Sequence, residues 1–120
     1  MVETKIMVVE DEVIVARTIA NQLTQLGYTV VDMAASGPAA IAKATDKHPD
    51  LILMDIFLKG SMDGVKAASE IRSQLDVPII FLTAYADDDT LQRAKATLPM
   101  GYIVKPFNES ELRVAIELAL

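Results

Sequence analysis

An α/β fold with a parallel sheet follows from three features of this sequence. Five short apolar runs, Ile6–Val9, Thr29–Ala35, Leu51–Met54, Ile79–Leu82 and Tyr102–Val104, alternate with longer stretches of helical spacing. That alternation is the pattern of βαβ units. Two of the runs, Ile6-Met7-Val8-Val9 and Ile79-Ile80-Phe81-Leu82, are apolar throughout, as central strands are when helices cover both faces of a sheet. The run from Thr29 instead contains Asp32, so one of its faces meets water and it reads as an edge strand. A doubly wound, flavodoxin-like sheet of order 2-1-3-4-5 places its second strand at an edge, and that (βα)5 arrangement is the fold expected.

The elements follow in chain order. After the first run, Val15, Ile19, Leu23 and Leu26 form one apolar stripe on a helix. Gly27 stands just beyond it, where a helix commonly ends on glycine. The second helix starts at Ser36, a good N-cap, and continues through Ile41 and Ala44. The third spans Gly64 to Leu75, with Val65, Ala68, Ile71 and Leu75 inward. The fourth, Asp88 to Ala96, has few apolar positions and ends before Thr97-Leu98-Pro99. The fifth opens on Asn108 with Glu111 three residues later, a capping-box pattern, and runs to the end.

Composition narrows the function classes. A chain of 120 residues is one domain by size, and we expect residues 1–120 to form one unit. Hydrophobic residues make up 52% and charged residues 23%, which excludes disordered and low-complexity classes. With no cysteine, disulfide frameworks, thiolate metal sites and cysteine nucleophiles are excluded. A formal charge of −6 without a basic run argues against direct nucleic-acid binding, which rests on Lys and Arg at phosphates. The mixed-charge start has no signal-like apolar segment, and no apolar stretch approaches the roughly 20 residues of a membrane span. A cytoplasmic domain without membrane contact is the expectation.

In such a sheet, ligands bind outside the carboxyl ends of the strands. Glu10, Asp11 and Glu12 follow the first run, Asp55 the third, Thr83 the fourth and Lys105 the fifth. Each has an ordinary reading. The acids suit a helix N-terminus, Asp55 is a turn former, Thr83 a helix cap and Lys105 a solvated strand end. Chance, however, scatters such groups around a surface rather than along one sheet edge. Asp55 is also followed by Ile56-Phe57-Leu58, a poor turn sequence, and a carboxylate inside an apolar run needs a partner. Three carboxylates, from Glu10, Asp11 and Asp55, against one ammonium leave a formal −2. Oxygen ligands without Cys or nearby His suit Mg²⁺. A site so neutralised can accept a phosphoryl group, with Asp55 as nucleophile, Lys105 balancing charge on its oxygens and Thr83 donating a hydrogen bond.

At these residues the chain resembles the receiver domain of two-component response regulators. The matching pieces are Val8-Val9-Glu10-Asp11-Glu12, Leu51-Ile52-Leu53-Met54-Asp55, Met62-Asp63-Gly64, Phe81-Leu82-Thr83-Ala84 and Gly101-Tyr102-Ile103-Val104-Lys105-Pro106-Phe107. The resemblance spans essentially the whole chain. The resemblance implies that Asp55 is the phosphoacceptor, with a histidine kinase as donor. It implies that Glu10, Asp11, Asp55 and the backbone carbonyl of Phe57 hold Mg²⁺, with Asp11 a direct ligand. Thr83 is then the switch hydroxyl, Lys105 the catalytic lysine, Tyr102 the switch aromatic and Lys105-Pro106 a cis bond. The surface of the fourth helix, fifth strand and fifth helix changes on phosphorylation. Ile14 and Thr18, with the Pro106-Phe107 loop, face the kinase.

Three departures stand out. Glu10 occupies a place where Asp is commoner, so its metal contact is expected through water. The loop from Asp55 to Gly64 is one residue longer than in the simplest members and lacks their proline. Phe57 and Tyr85 are large where they flank the site, and are expected to crowd water away from an aspartyl phosphate and slow its hydrolysis. Apolar Ala115, Ile116, Leu118, Ala119 and Leu120 close the sequence, which favours a receiver cut from a larger protein over a single-domain regulator and leaves room for a homodimer. Rival readings fit less well. A haloacid-dehalogenase-type phosphatase needs its nucleophilic Asp, with a second Asp two residues on, after the first strand. A topoisomerase-primase-type nuclease needs Asp-x-Asp after a later strand, and a flavodoxin needs a hydroxyl- and glycine-rich phosphate loop. Neither Glu10-Asp11-Glu12-Val13 nor Asp55-Ile56-Phe57 supplies these. The alternative kept open is a receiver-like interaction module that is never phosphorylated.

Overall fold

The computed structural model describes residues 3–84 and 88–120. Five strands, β1 (Lys5–Val9), β2 (Thr29–Ala34), β3 (Leu51–Asp55), β4 (Ile79–Thr83) and β5 (Gly101–Val104), alternate with five helices. The helices are α1 (Val13–Gln25), α2 (Gly37–Lys47), α3 (Gly64–Gln74), α4 (Asp88–Ala96) and α5 (Glu109–Ala119). The strands form one parallel sheet of order β2-β1-β3-β4-β5, as expected from the sequence.

Alternate residues of each strand enter opposite cores, because side chains of a strand point to opposite faces in turn. Ile6, Val8, Leu51, Leu53, Ile80, Leu82 and Ile103 pack with Ile19 and Leu23 of α1 and Leu112 and Ile116 of α5. Met7, Val9, Ile52, Met54 and Phe81 pack with Ala40 and Ala44 of α2, Val65, Ala68 and Ile71 of α3, and Ala94 of α4. The edge strand β2 is only half-buried, and its Asp32 lies 3.5 Å from Lys43 of α2.

The predicted caps form. Ser36 accepts from the Ala39 amide at 3.2 Å. Asn108 accepts from the Glu111 amide at 2.7 Å while the Glu111 side chain accepts from the Asn108 amide at 3.4 Å, a complete capping box. Gly27 has a φ of +94°, a conformation open to glycine at little cost.

Two strands run one residue further than their apolar runs. Asp55 pairs in register with Leu82, and Thr83 with Val104, so both site candidates are strand residues rather than loop residues. Beyond β3 the chain keeps alternating: Ile56 and Leu58 are buried and Phe57 is exposed. Burial of Ile56 and Leu58 accounts for the apolar stretch after Asp55. The same stretch brings α3 tightly against the strand end. The Gly64 amide donates to the Ile56 carbonyl at 2.8 Å, and a Cβ on Gly64 would lie 1.9 Å from the Asp55 carbonyl oxygen.

Candidate functional site: an acidic cluster and a lysine at the sheet's carboxyl edge

Glu10, Asp55 and Lys105 hang from backbone tied to neighbouring strands. The Glu10 amide donates to the Ala34 carbonyl at 3.0 Å, Ile56 to Leu82 at 3.1 Å, and Lys105 to Thr83 at 2.8 Å. The side chains are thus aimed by the sheet and not by a free loop. Lys105 Nζ lies 2.8 Å from Glu10 Oε2 and 3.4 Å from Asp55 Oδ2. The Phe57 amide donates to Asp55 Oδ1 at 3.1 Å and the Lys59 amide to Asp11 Oδ2 at 2.9 Å. Glu10, Asp55 and Thr83 are 3%, 6% and 4% exposed, and they are the buried polar side chains among the described residues.

The charges are unbalanced, and the groups respond. Burial pushes the Glu10 carboxyl up to about 7, and Asp55 pushes the same way through its hydrogen bond and charge, against the Lys105 ammonium. Burial pulls Lys105 down, but the hydrogen bond to Glu10 and the charges of Asp55 and Glu10 outweigh it and hold the ammonium above the usual lysine value. A proton on Glu10 therefore does part of what a cation would do.

This has a measurable consequence for the metal-free protein. Unfolded Glu10 titrates near 4.5 and folded Glu10 near 7, so the folded state holds the extra proton over that interval. The contribution of this group is most favourable below 4.5 and is lost as pH rises through about 7. In chelator, the Tm of the wild type is expected to fall relative to Glu10→Gln between pH 5 and 7. Parallel Tm curves for the two proteins would contradict the assignment.

Oxygens of Glu10, Asp11 and Asp55 lie within 4.8 Å of one another. Ligands facing each other across Mg²⁺ are about 4.2 Å apart, so an all-oxygen cluster of this scale suits that ion. Thr83 ends β4, and its carbonyl accepts from the Lys105 amide. Phe57 is 43% exposed at the rim, and Tyr85 lies outside the described residues. On β5, the Tyr102 ring stacks on Phe81 with centroids 6.1 Å apart and an interplanar angle of 28°. The Lys105-Pro106 bond is cis. Beside Lys105, an open groove of about 450 Å³ is lined by Ile14, Thr18, Ala84, Pro106 and Phe107 among others. It lies between α1 and the Pro106-Phe107 loop.

Two contacts were not legible in the sequence. The Lys59 amide on Asp11 joins residues 48 apart, and a backbone donor has no residue-type signal. Arg93 of α4 grips Asp63 through two hydrogen bonds of 2.9 and 3.2 Å. Asp63 also caps α3 by accepting from the Lys66 amide at 2.9 Å. Burial raises the Asp63 carboxyl, but Arg93 and the Lys66 amide outweigh it and hold it below the usual range. Asp63 thus links the β3–α3 loop to α4. Among the described residues, no helix is long and apolar enough to cross a membrane.

Comparison with known proteins agrees with this fold. The family model described as the response regulator receiver domain matches residues 6–117. The transcriptional regulatory protein PdtaR of Mycobacterium tuberculosis is 40% identical over 119 residues, which are 99% of this chain and 58% of that protein. The chain therefore spans little more than half of that relative's length. Among solved structures, the signal receiver domain of a modulated diguanylate cyclase from Desulfovibrio desulfuricans superposes with a TM-score of 0.93 at 39% identity. That match covers 98% of this chain and 94% of the other. The chemotaxis protein CheY4 of Vibrio cholerae gives 0.90 at 30% identity, covering 99% and 100%. A sheet of order 2-1-3-4-5, an acidic cluster at its carboxyl edge, and a family match over nearly the whole length lead to one conclusion: this chain belongs to the response regulator receiver domain family.

Proposed function

We propose that residues 1–120 act as one phosphoacceptor domain, in which Asp55 takes a phosphoryl group from the phosphohistidine of a histidine kinase. The observation that carries this reading is Lys105, whose ammonium lies within 3.4 Å of the Asp55 carboxylate at the end of a buried strand. The proposed step is an in-line displacement. An Asp55 carboxylate oxygen forms the new O–P bond, and the P–N bond breaks with its electron pair returning to the imidazole nitrogen. The Phe57 amide holds the rotation of the Asp55 carboxylate. Lys105 is placed to leave Glu10 for the arriving phosphoryl oxygens, and Thr83 to donate a hydrogen bond to one of them.

Receiver domains bind Mg²⁺ at an acidic pocket. Here Glu10, Asp11, Asp55 and the Phe57 carbonyl are the proposed holders, with Glu10 acting through water. When bound, Mg²⁺ offsets negative charge on the cluster and the phosphoryl oxygens. The new charge at the sheet edge then biases a two-state element. In it Thr83 moves toward the phosphoryl group, Tyr102 turns inward, and the face of α4, β5 and α5 changes. As a signalling domain it is not a turnover enzyme. Kinase docking is proposed at the groove of Ile14, Thr18, Pro106 and Phe107. A cytoplasmic location and a homodimer through exposed apolar residues of α5 belong to the same reading.

The test is intact mass after incubation with a small phosphodonor and Mg²⁺, beside Asp55→Asn. One added phosphoryl mass is expected, dependent on Mg²⁺ and absent from the variant. Mg²⁺ binding without any added mass at the shortest quench times would favour the unphosphorylated interaction module instead. Phe57 at the rim is expected to slow hydrolysis, so Phe57→Asn should shorten the phosphoryl lifetime several-fold in the same assay. An unchanged lifetime would assign the shielding elsewhere.

A further inference from the structure

The loop that follows Asp55 is fastened to the other side of the cluster by a backbone group. The Lys59 amide donates to Asp11 Oδ2 at 2.9 Å. It spans from the β3–α3 loop, which follows Asp55, to the β1–α1 loop, which carries Asp11. Asp11 is only half-buried, so burial alone does not hold its side chain in one rotamer. An amide on one carboxylate oxygen does so, and it leaves the second oxygen and the remaining lone pairs free. Carboxylates that ligate metals are commonly held in this way by an outer donor, and loss of such a donor typically weakens metal binding about 10–100-fold.

We infer that the Lys59 backbone amide is a positioning group for the metal site: it orients Asp11 toward a divalent cation and keeps its bond to Asp11 when the cation binds. The inference rests on the metal-site reading given above. It concerns the amide and not the ammonium of Lys59. Proline, the residue this loop lacks, carries no N–H and cannot make the bond.

Lys59→Pro and Lys59→Ala separate the two parts of the residue. Mg²⁺ titration of each, followed by amide chemical shifts of the ¹⁵N-labelled domain, is the measurement. Lys59→Pro is expected to weaken Mg²⁺ binding about 10-fold or more, whereas Lys59→Ala, which keeps the amide, restores affinity to within about twofold of the wild type. Exchange of the Lys59 amide in the wild type provides a readout that does not depend on the proline variant's folding. The amide is expected to be protected without metal and more strongly protected with Mg²⁺. Equal Mg²⁺ affinity in wild type and folded Lys59→Pro, or Mg²⁺-induced loss of protection at Lys59, would overturn the inference alone. Failure of the wild type to bind Mg²⁺ would instead overturn the metal-site reading itself.

Discussion

Lys105→Ala is expected to slow phosphoryl uptake at Asp55 by about 100-fold or more, the usual effect of removing one charge-stabilising donor from a developing oxyanion. The same change has a second, independent signature in the metal-free domain. Glu10 is almost wholly buried and lies 2.8 Å from the ammonium. Without Lys105, Glu10 and Asp55 face each other uncompensated, and a buried charge stripped of its partner is destabilising. The loss is bounded because Glu10, already pushed up to about 7, can take a proton in place of the lysine. We expect the variant to lose about 1–3 kcal/mol at pH 8 and less at pH 5, where protons are supplied cheaply. Chemical denaturation at the two pH values checks this. A penalty that grows toward low pH would mean that Lys105 is not the partner holding the acids.

Gly64→Ala should be the most damaging small substitution for the fold. Its Cβ would lie 1.9 Å from the Asp55 carbonyl oxygen, 2.8 Å from the Asp55 carbonyl carbon and 2.9 Å from the Ile56 Cα. All three are backbone atoms of a sheet-bonded segment, so no flexible side chain can yield. Either α3 withdraws from the sheet or the end of β3 distorts. A cost of about 3 kcal/mol or more follows from overpacking at a site that cannot relax, which is on the order of 10 °C in Tm for a domain of this size. Gly37→Ala provides the contrast, because the two nearest atoms there are Sδ and Cγ of Met62, which can turn away and leave only a tight contact with its Cβ. Comparable losses for the two variants would show that α3 has slack against β3. A folded Gly64→Ala is also expected to lose phosphoryl uptake, since the distorted backbone carries Asp55.

The link from Asp63 to Arg93 ties the β3–α3 loop to α4, part of the face proposed to change. One carboxylate caps α3 and holds α4, so a shift of the loop and a shift of α4 are not independent. Neither residue has exceptional chemistry in the linear chain. Asp63 was legible as part of Met62-Asp63-Gly64, but its partner 30 residues away was not.

By itself the sequence determined the order of elements, the sheet order, the caps at Ser36 and Asn108, and the sheet edge where the acidic residues and Lys105 gather. These depend on local periodicity, on caps three residues apart, and on which residue follows each apolar run, all of them short-range in the chain. The tertiary structure alone decided who pairs with whom at that edge. Lys105 lies nearer to Glu10 than to Asp55, Asp55 and Thr83 are strand residues, the Lys59 amide rather than a side chain holds Asp11, and Gly64 is required by a carbonyl nine residues earlier. Distances between groups 9 to 95 residues apart are set by sheet register and by how closely a helix packs on a strand end, and backbone amides and carbonyls are the same in every residue type. That is the physical reason such contacts leave no mark in the one-dimensional pattern.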